Sequence, residues 1–493
     1  MSTRVPKNSR AAAIGLPLLL LTACAAGPDY HRPALSPAAS YGDQAIAPAE
    51  SAEHAANSPQ LVSGMDIPAQ WWGVFHSADL DALVAEALKN NASIDAAEAA
   101  LRSAREQTKA QRGADYPSVG LSLQPSRQNF APDLASPTAA GNSLYNLTTT
   151  QVSVSYTPDL FGANRRAVES LVSQEDQQRF QLEAARLTLA SNVVQAAVED
   201  ALLRAEIEDA QAIVADQQQT LVSFRRLFQL GQASKADVAA QEALLAQVQA
   251  TLPPLEKQFR INRDLLSALV GRTPGEPLEV RFDFQALTLP DQLPLSLPAQ
   301  LVEHRPDVRI AEAQLHAASA EVGVAAAARW PNLQLEGDVG SSALGLIPTF
   351  DSAANFWSIA ATLTQPVFEG GALLHRERAA KAAYDEAAAQ YRGTVIGAFQ
   401  NTADVLHALW TDADALRAAQ AVEAATANSL SIAKKQFGLG DISRLTLLTA
   451  EQSEDQAGLA LLQARANRYV DVVALFQALG GGWWNQAQAT PKT

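Results

Sequence analysis

GANRRAVESLVSQEDQQRFQLEAARLTLASNVVQAAVEDALLRAEIEDAQAIVADQQQTLVSFRRLFQLG, Gly162 to Gly231, decides the fold. Between its two glycines lie 68 residues, Ala163 to Leu230, with no Gly and no Pro. They are dense in Ala, Leu, Val, Gln, Glu and Arg, mostly residues of low cost in a helix interior. Leu182, Leu189, Ala196, Leu203 and Ala210 recur every seventh residue, and Phe224 keeps that register past a polar Gln217. One helix of this length reaches roughly 100 Å, far beyond an ordinary globular helix. A periodic run this long means a coiled coil, a membrane span or a helical repeat. The charges exclude a membrane span, so the stretch predicts a long helix packed side-on against other long helices.

The composition fits that reading. Only 6% of the 493 residues are aromatic, and closely packed Ala-rich helices need few. The net charge of −15 argues against nucleic acid, whose phosphates demand a basic face. At the N-terminus, Arg4, Lys7 and Arg10 precede an apolar run, Ala11 to Leu21, too short to span a bilayer and right for an export signal. It ends in Leu21-Thr22-Ala23-Cys24, which resembles a bacterial lipobox; residues 1–23 then form a lipoprotein signal peptide, and Cys24 carries the acyl chains. Losing three cations and no acid takes the mature charge from −15 to −18. Cys24 is the chain's only cysteine, so no intramolecular disulfide exists. Ala at 25 favours the outer membrane over inner-membrane retention.

Residues 24–76 read as an N-terminal leader and equatorial segment, a Pro/Ala-rich extended stretch over 25–70 after which Trp71-Trp72-Gly73-Val74-Phe75 opens the folded part. A first repeat follows over 77–271. A helix is expected from about Ser77 to Ala114, then a β-hairpin over 117–160, signalled by the alternation of Val119, Leu121, Leu123 and of Val152, Val154, Tyr156. The long helix occupies 163–230 and Gly231 caps it. Ser234-Lys235-Ala236-Asp237 has the spacing of a capping box and opens a helix over 234–270, which Pro253-Pro254 should kink or divide. Residues 272–300 form a connector, with a short strand expected at Leu278–Phe284. The order then recurs over 301–479: helix, hairpin 331–368, long helix 372–437, helix 443–479, with 480–493 as the C-terminal tail. Arg305-Pro306-Asp307-Val308 echoes Asn91-Ala92-Ser93-Ile94 at an offset of 214, and Phe437-Gly438-Leu439-Gly440 echoes Phe228-Gln229-Leu230-Gly231 at 209. Gly393 and Gly397 should loosen the second long helix locally. The reading puts the strand pairs at one end of the long helices and the Gly turns about 100 Å away at the other.

Four amphipathic strands per chain suit a membrane β-barrel but cannot close one, since known barrels begin at eight strands. A barrel therefore requires several chains, three giving twelve strands. A pair of small soluble hairpins on a coiled-coil rod fits the pattern too.

The chain resembles the outer-membrane factors of tripartite efflux and secretion systems: TolC-like, and most like the lipoprotein (NodT/OprM-type) branch. The matching pieces are Cys24 with Gly27-Pro28-Asp29-Tyr30 and Arg32-Pro33, Trp71-Trp72 with Phe75, and Asp159-Leu160-Phe161-Gly162. In the second half they are Arg305-Pro306-Asp307-Val308 with Ala311-Glu312, Gly323, Pro331, Pro366-Val367-Phe368-Glu369-Gly370-Gly371 and the two Phe-x-x-Gly turns. The resemblance implies a mainly α, α+β fold: very long antiparallel coiled-coil helices with two inserted β-hairpins. It implies a homotrimer with a twelve-stranded outer-membrane barrel, a twelve-helix periplasmic tunnel and an equatorial collar from residues near 30–75, 272–300 and the C-terminus. Its location is then the outer membrane of a Gram-negative bacterium, lipid-anchored and extending into the periplasm. Its partners are a periplasmic adaptor (membrane fusion protein), an inner-membrane pump of the RND type and outer-membrane lipid. The implied work is passive exit of small toxic compounds or drugs; a type I secretion channel is the alternative within the family.

By the same resemblance the adaptor meets the turns Phe228, Gly231, Ser234 and Phe437, Gly440, Ser443. An apolar constriction falls on Leu445. Where relatives often carry Asp this chain has Thr446 and Thr449, leaving Asp441 as a substitute in an acidic ring.

Nothing in the sequence indicates an enzyme, a cofactor or a metal. The seven histidines are scattered, with no i, i+4 pair, and neither a P-loop, G-x-S-x-G nor a dinucleotide fingerprint occurs. His304-Arg305-Pro306-Asp307 looks superficially like a kinase catalytic loop but lacks every companion motif. Trp71, Trp72, Trp483 and Trp484 read as collar packing. A structural rival, a trimeric coiled-coil adhesin or spacer, would put its membrane strands once, at the C-terminus; here the last 15 residues are polar and Gly-rich.

Overall fold

The computed structural model describes residues 26–33, 60–129, 144–276, 278–295, 302–345 and 352–485. The signal peptide, Cys24 and most of the leader lie outside them. The chain is mainly helical with some sheet. In order it runs β1 (Gln60–Ser63), α1 (Ala78–Asn90), α2 (Ala92–Arg112), β2 (Ser118–Asn129), β3 (Leu144–Tyr156), α3 (Ala163–Gln229), α4 (Lys235–Gln249), α5 (Leu252–Leu269) and β4 (Gln292–Leu295). The second half continues with α6 (Pro306–Ala327), β5 (Asn332–Ala343), β6 (Asn355–Thr364), α7 (Ala372–Leu439) and α8 (Arg444–Ala478). Among the described residues no helix is long and apolar enough to cross a membrane.

The heptad reading of α3 holds side chain by side chain. Leu182, Leu189, Ala196, Leu203 and Ala210 are all buried. Gln217 is buried too, and its carbonyl accepts from Gln241 Nε2 of α4 at 2.7 Å, so the one polar layer is satisfied. Both long helices are continuous, 67 and 68 residues. The expected loosening at Gly393 and Gly397 does not interrupt α7, and an added Cβ at either glycine would meet nothing within 4 Å.

Two compact units each draw on both repeats: residues 1–33, 102–176 and 312–390 form one, and 34–101, 177–311 and 391–493 the other. Residues 26–33 thus belong with the sheet unit. The sheet unit holds one antiparallel sheet, β2-β3-β5-β6. In the same unit Thr108 Oγ1 of α2 donates to Leu171 O of α3 at 3.4 Å, and Arg329, just past α6, pairs with Glu377 of α7 at 2.5 Å.

In the second unit aromatic rings fill the core. Trp71 stacks on Phe476 at 5.3 Å, and Tyr469 lies against Phe75 and Phe284 while its hydroxyl donates to Leu287 O at 2.8 Å. Two expectations need correction here, the unbroken helix over Ser77–Ala114 and the strand at Leu278–Phe284. The helix expected from Ser77 to Ala114 breaks at Asn91, which takes an extended conformation because its side chain bridges Ser93 N at 2.8 Å and Leu269 O at 2.9 Å. The helix over 234–270 is divided at 250–251, as expected from Pro253-Pro254, and the two prolines sit in the first turn of α5, where a missing N–H costs nothing. Leu278–Phe284 is no strand. The carbonyls of Leu278, Val280 and Phe282 are taken by Arg263 and Arg204 side chains rather than by a neighbouring backbone. The connector's strand is β4 instead, paired in parallel with β1. His304-Arg305-Pro306-Asp307 serves as the start of α6, with Arg305 forked onto Asp307 at 3.0 and 2.7 Å and Asp307 accepting from Val308 N at 2.9 Å.

Candidate functional site

Two regions carry functional geometry, and each lies within one unit. The first is the sheet. Directly opposed residues share a face, so the register can be read as rows. Leu121, Val152, Val339 and Trp357 form one row across all four strands, and Val119, Val154, Gly337 and Ile359 the next. The reverse face runs Ser122, Gln151, Gly340, Phe356 and then Gly120, Ser153, Asp338, Ser358, with Ser358 Oγ donating to Asp338 at 3.0 Å. Over these rows one face is apolar and the other largely polar; the next row of the first face, Leu123, Thr150, Ser341 and Asn355, turns polar. The apolar face is bare: Leu121 is 77% exposed, Trp357 75% and Ile359 82%. Just outside the strand ends, Tyr116, Trp330 and Phe368 are exposed as well. Strands β2 and β6 are the sheet's edges, with no further partner among the described residues.

The second region is the pair of helix turns. At the first, Gly231 sits at φ +74°, its N–H reaches Phe228 O at 2.9 Å, and Gln232 N reaches Leu227 O at 2.8 Å. At the second, Gly440 sits at φ +81°, with Gly440 N to Phe437 O at 3.0 Å and Asp441 N to Gln436 O at 2.9 Å. Both are Schellman closures, which satisfy the orphan carbonyls of a helix end and need a left-handed residue. Each following helix is capped by serine. Ser234 Oγ accepts from Asp237 N at 3.1 Å, and Asp237 returns the bond to Ser234 N at 2.8 Å. Those bonds from the Ser234 side chain and backbone hold the Asp237 carboxyl below its ordinary range. Ser443 Oγ accepts from Thr446 N at 3.2 Å, and the Thr446 hydroxyl lies 2.9 Å from that of Ser443.

Of the expected tip residues, Phe228, Gly231, Ser234, Gly440 and Ser443 are exposed and Phe437 is half-buried. Leu445, Thr446 and Thr449 come together in a groove of about 640 Å³ between α7 and α8, shared with Ile432 and Gln436. Thr449 turns its hydroxyl back onto Leu445 O at 2.9 Å. Asp441 is exposed and does not line that groove. Arg444 escaped the sequence reading. Its guanidinium lies 5.4 Å from the Phe224 ring of α3 and 5.7 Å from Phe437 of α7, and it reaches the buried Glu451 at 3.5 Å. It therefore ties the second helical hairpin to the first. Phe224 was visible as a heptad position; its partner, 220 residues on, was not.

The family model described as "Outer membrane efflux protein" matches residues 83–272 and 297–481. The chain is 31% identical over 476 residues to outer membrane protein OprJ of Pseudomonas aeruginosa, with 94% of each chain covered. It is 30% identical over 436 residues to the pyoverdine export outer membrane protein OpmQ of Pseudomonas putida, covering 86% of this chain and 91% of that one. Among solved structures it is similar to the outer-membrane channel OprN, with a TM-score of 0.83 and 26% identity over 93% of this chain and all of that one.

Proposed function

From the premise that this chain belongs to the outer membrane efflux protein family, and is an outer-membrane component of an efflux system, we propose that three copies close into one passive duct. The carrying observation is the sheet: four strands, one bare apolar face, one polar face and two free edges. In water such a face and such edges are an aggregation hazard; in lipid they demand closure with further strands. Three sheets joined edge to edge make a twelve-stranded barrel. Apolar rows led by Leu121 and Ile359 face the acyl chains, Tyr116, Trp330 and Phe368 form an interfacial girdle, and the polar rows line the bore. Asp338 and Glu336 then look into the lumen, where acidic walls favour cationic cargo. The α3/α4 and α7/α8 hairpins form the periplasmic tunnel.

The turns Phe228–Ser234 and Phe437–Ser443 are the surface offered to a periplasmic adaptor, which couples the duct to an RND-type inner-membrane pump. Leu445, Thr446 and Thr449 form the constriction, narrowed by apolar and hydroxyl groups rather than by carboxylates. Asp441 is the remaining place for an acidic ring. Cys24 carries the lipid anchor. The cargo is small toxic compounds, consistent with relatives named for pyoverdine export and for toluene efflux.

Purified protein in a planar bilayer tests the duct: discrete conductance steps from an oligomer of three chains are expected. A membrane-bound oligomer without conductance would favour a spacer. Deletion of the gene should lower resistance to several unrelated compounds. Loss of protein secretion with unchanged drug resistance would favour a type I secretion channel.

A further inference from the structure

On the reading of Cys24 as the lipidated residue, on which this rests, we propose that Ala26–Pro33 is a strap holding the acyl anchor at the base of the sheet. The segment forms neither helix nor strand, yet it is fastened at four places, all in the sheet unit.

The first fastening is Ala26 N, which donates to Phe161 O at 2.9 Å. Phe161 follows β3, and its ring stacks on Trp330, just before β5, at 5.3 Å and 14°. The strap therefore starts where the strands meet the helices. The second is Arg166, whose nearly buried guanidinium holds the strap at two points: Ala26 O from Nε at 3.3 Å and Asp29 Oδ1 from Nη2 at 2.7 Å. Its third nitrogen pairs with Glu169 at 2.7 Å, which keeps the cation in place. The third is Tyr30, stacked on His316 at 4.2 Å and 15°, with His316 Nε2 in turn 2.9 Å from Glu169. The fourth is Arg32, which donates to Glu312 at 2.7 Å.

Between the first two fastenings the fit admits no side chain. Gly27 has φ +91°, and a Cβ there would lie 2.4 Å from Gly323 Cα; a Cβ on Gly323 would lie 3.0 Å from Ala26 O. Two glycines face each other three residues from Cys24. A structureless leader would need neither them nor a buried arginine.

The consequence is a matter of reach. Cys24 is two residues from Ala26, so their Cα atoms are at most about 7 Å apart. A free chain of the 35 or so residues between Cys24 and Gln60 would instead have an end-to-end distance of roughly 30–35 Å. Confinement to the shorter radius cuts the volume the lipid can explore by about two orders of magnitude, a gain in local concentration for a tether fixed at the sheet unit. The partner is a lipid surface, and the strap makes acyl chains and apolar strands enter it side by side.

A mutant cycle on the full chain, expressed with its signal peptide, tests this. Gly27→Val cannot seat against Gly323. Expected results are that Gly27→Val slows the appearance of detergent-resistant trimer about tenfold, a fraction of the concentration gain lost. Cys24→Ser slows it at least as much, and the double variant is no slower than Cys24→Ser alone, because the strap acts only through the lipid. Multiplying effects, or a Gly27→Val chain that assembles at the normal rate, would overturn the strap. A Gly27→Val trimer that forms but melts earlier in the Cys24→Ser background also would, since that marks plain folding. Mass measurement of the wild-type N-terminal peptide separates the two levels. Absent acyl chains remove the premise, whereas acylated Cys24 with independent effects removes the strap alone.

Discussion

The two tip turns are built on the same backbone closure and stabilised differently. Gly231 and Gly440 end their helices with matching pairs of hydrogen bonds. After them the designs part. The first hairpin closes on itself: Ser234 and Asp237 exchange bonds in a complete capping box. The second has Thr446 where the first has Asp237, so only half the box remains, and the residue after its serine reaches across to other helices. Arg444 lies over Phe224 and Phe437 and pairs with Glu451. One turn is self-sufficient; the other is held by its neighbour. If these turns form the proposed tip, the second hairpin is the one expected to move on opening, because its stability can be withdrawn without unfolding it.

Breaking that tie is the largest expected effect. Arg444→Ala removes two ring contacts and strands Glu451, a loss on the order of 2 kcal/mol. The tip should loosen, seen as a conductance rise of roughly tenfold or more and as sensitivity to antibiotics too large for the closed channel. Arg444→Lys should rescue only weakly, because an ammonium cannot lie flat between two rings. An unchanged conductance in Arg444→Ala would mean the two hairpins are independent.

Next come the glycines. An added Cβ at either would meet nothing within 4 Å, so the whole cost is the left-handed backbone, about 1–2 kcal/mol. Gly440→Val and Gly231→Val should each lower drug resistance with trimer levels intact, Gly440→Val the more. Loss of the trimer itself would reduce both turns to caps without a docking role.

Much of this was legible locally. The Schellman turns and the serine caps are written in six or seven consecutive residues, and the heptads of α3 and the alternation of the strands repeat over short windows. What escaped depends on partners far away in the chain. Asn91 breaks a helix because local helix propensity is outweighed by its bond to Leu269, 178 residues on. Leu278–Phe284 looks like a strand, but its carbonyls are answered by arginine side chains, which alternation cannot reveal. Arg444 is unremarkable until Phe224 is beside it.

A smaller effect should come from pH. Burial, then the neighbouring Glu454, Glu451 and Asp216, pushes Asp455 of α8 up to about 6, with Lys434 of α7 opposing. A carboxyl raised in the folded state favours its neutral form there. The packing of α8 is therefore tightest below about pH 4–5 and weakens as pH rises through 6. Because the group is half in solvent, the change should be modest, roughly threefold in opening between pH 5 and 7.5. Asp455→Asn should flatten it, and an equal pH response in that variant would assign the titration elsewhere.

The smallest effect sharpens the comparison most directly, because it exchanges the two designs. Asp237→Ala removes the returning bond at the first turn and should cost about 0.5–1 kcal/mol, read as faster amide exchange over 234–238 and nowhere else. Thr446→Asp supplies the missing acid at the second turn, where Ser443 already accepts from the residue-446 amide. It should slow exchange over 443–447 by a factor of a few, since a completed box adds only some tenths of a kcal/mol. If the second turn is held chiefly by Arg444, the added cap will not restore a tight tip to Arg444→Ala. Should Thr446→Asp alone recover the closed conductance in that background, the weakness of the second hairpin lies in its cap, and the cross-helix tie is secondary.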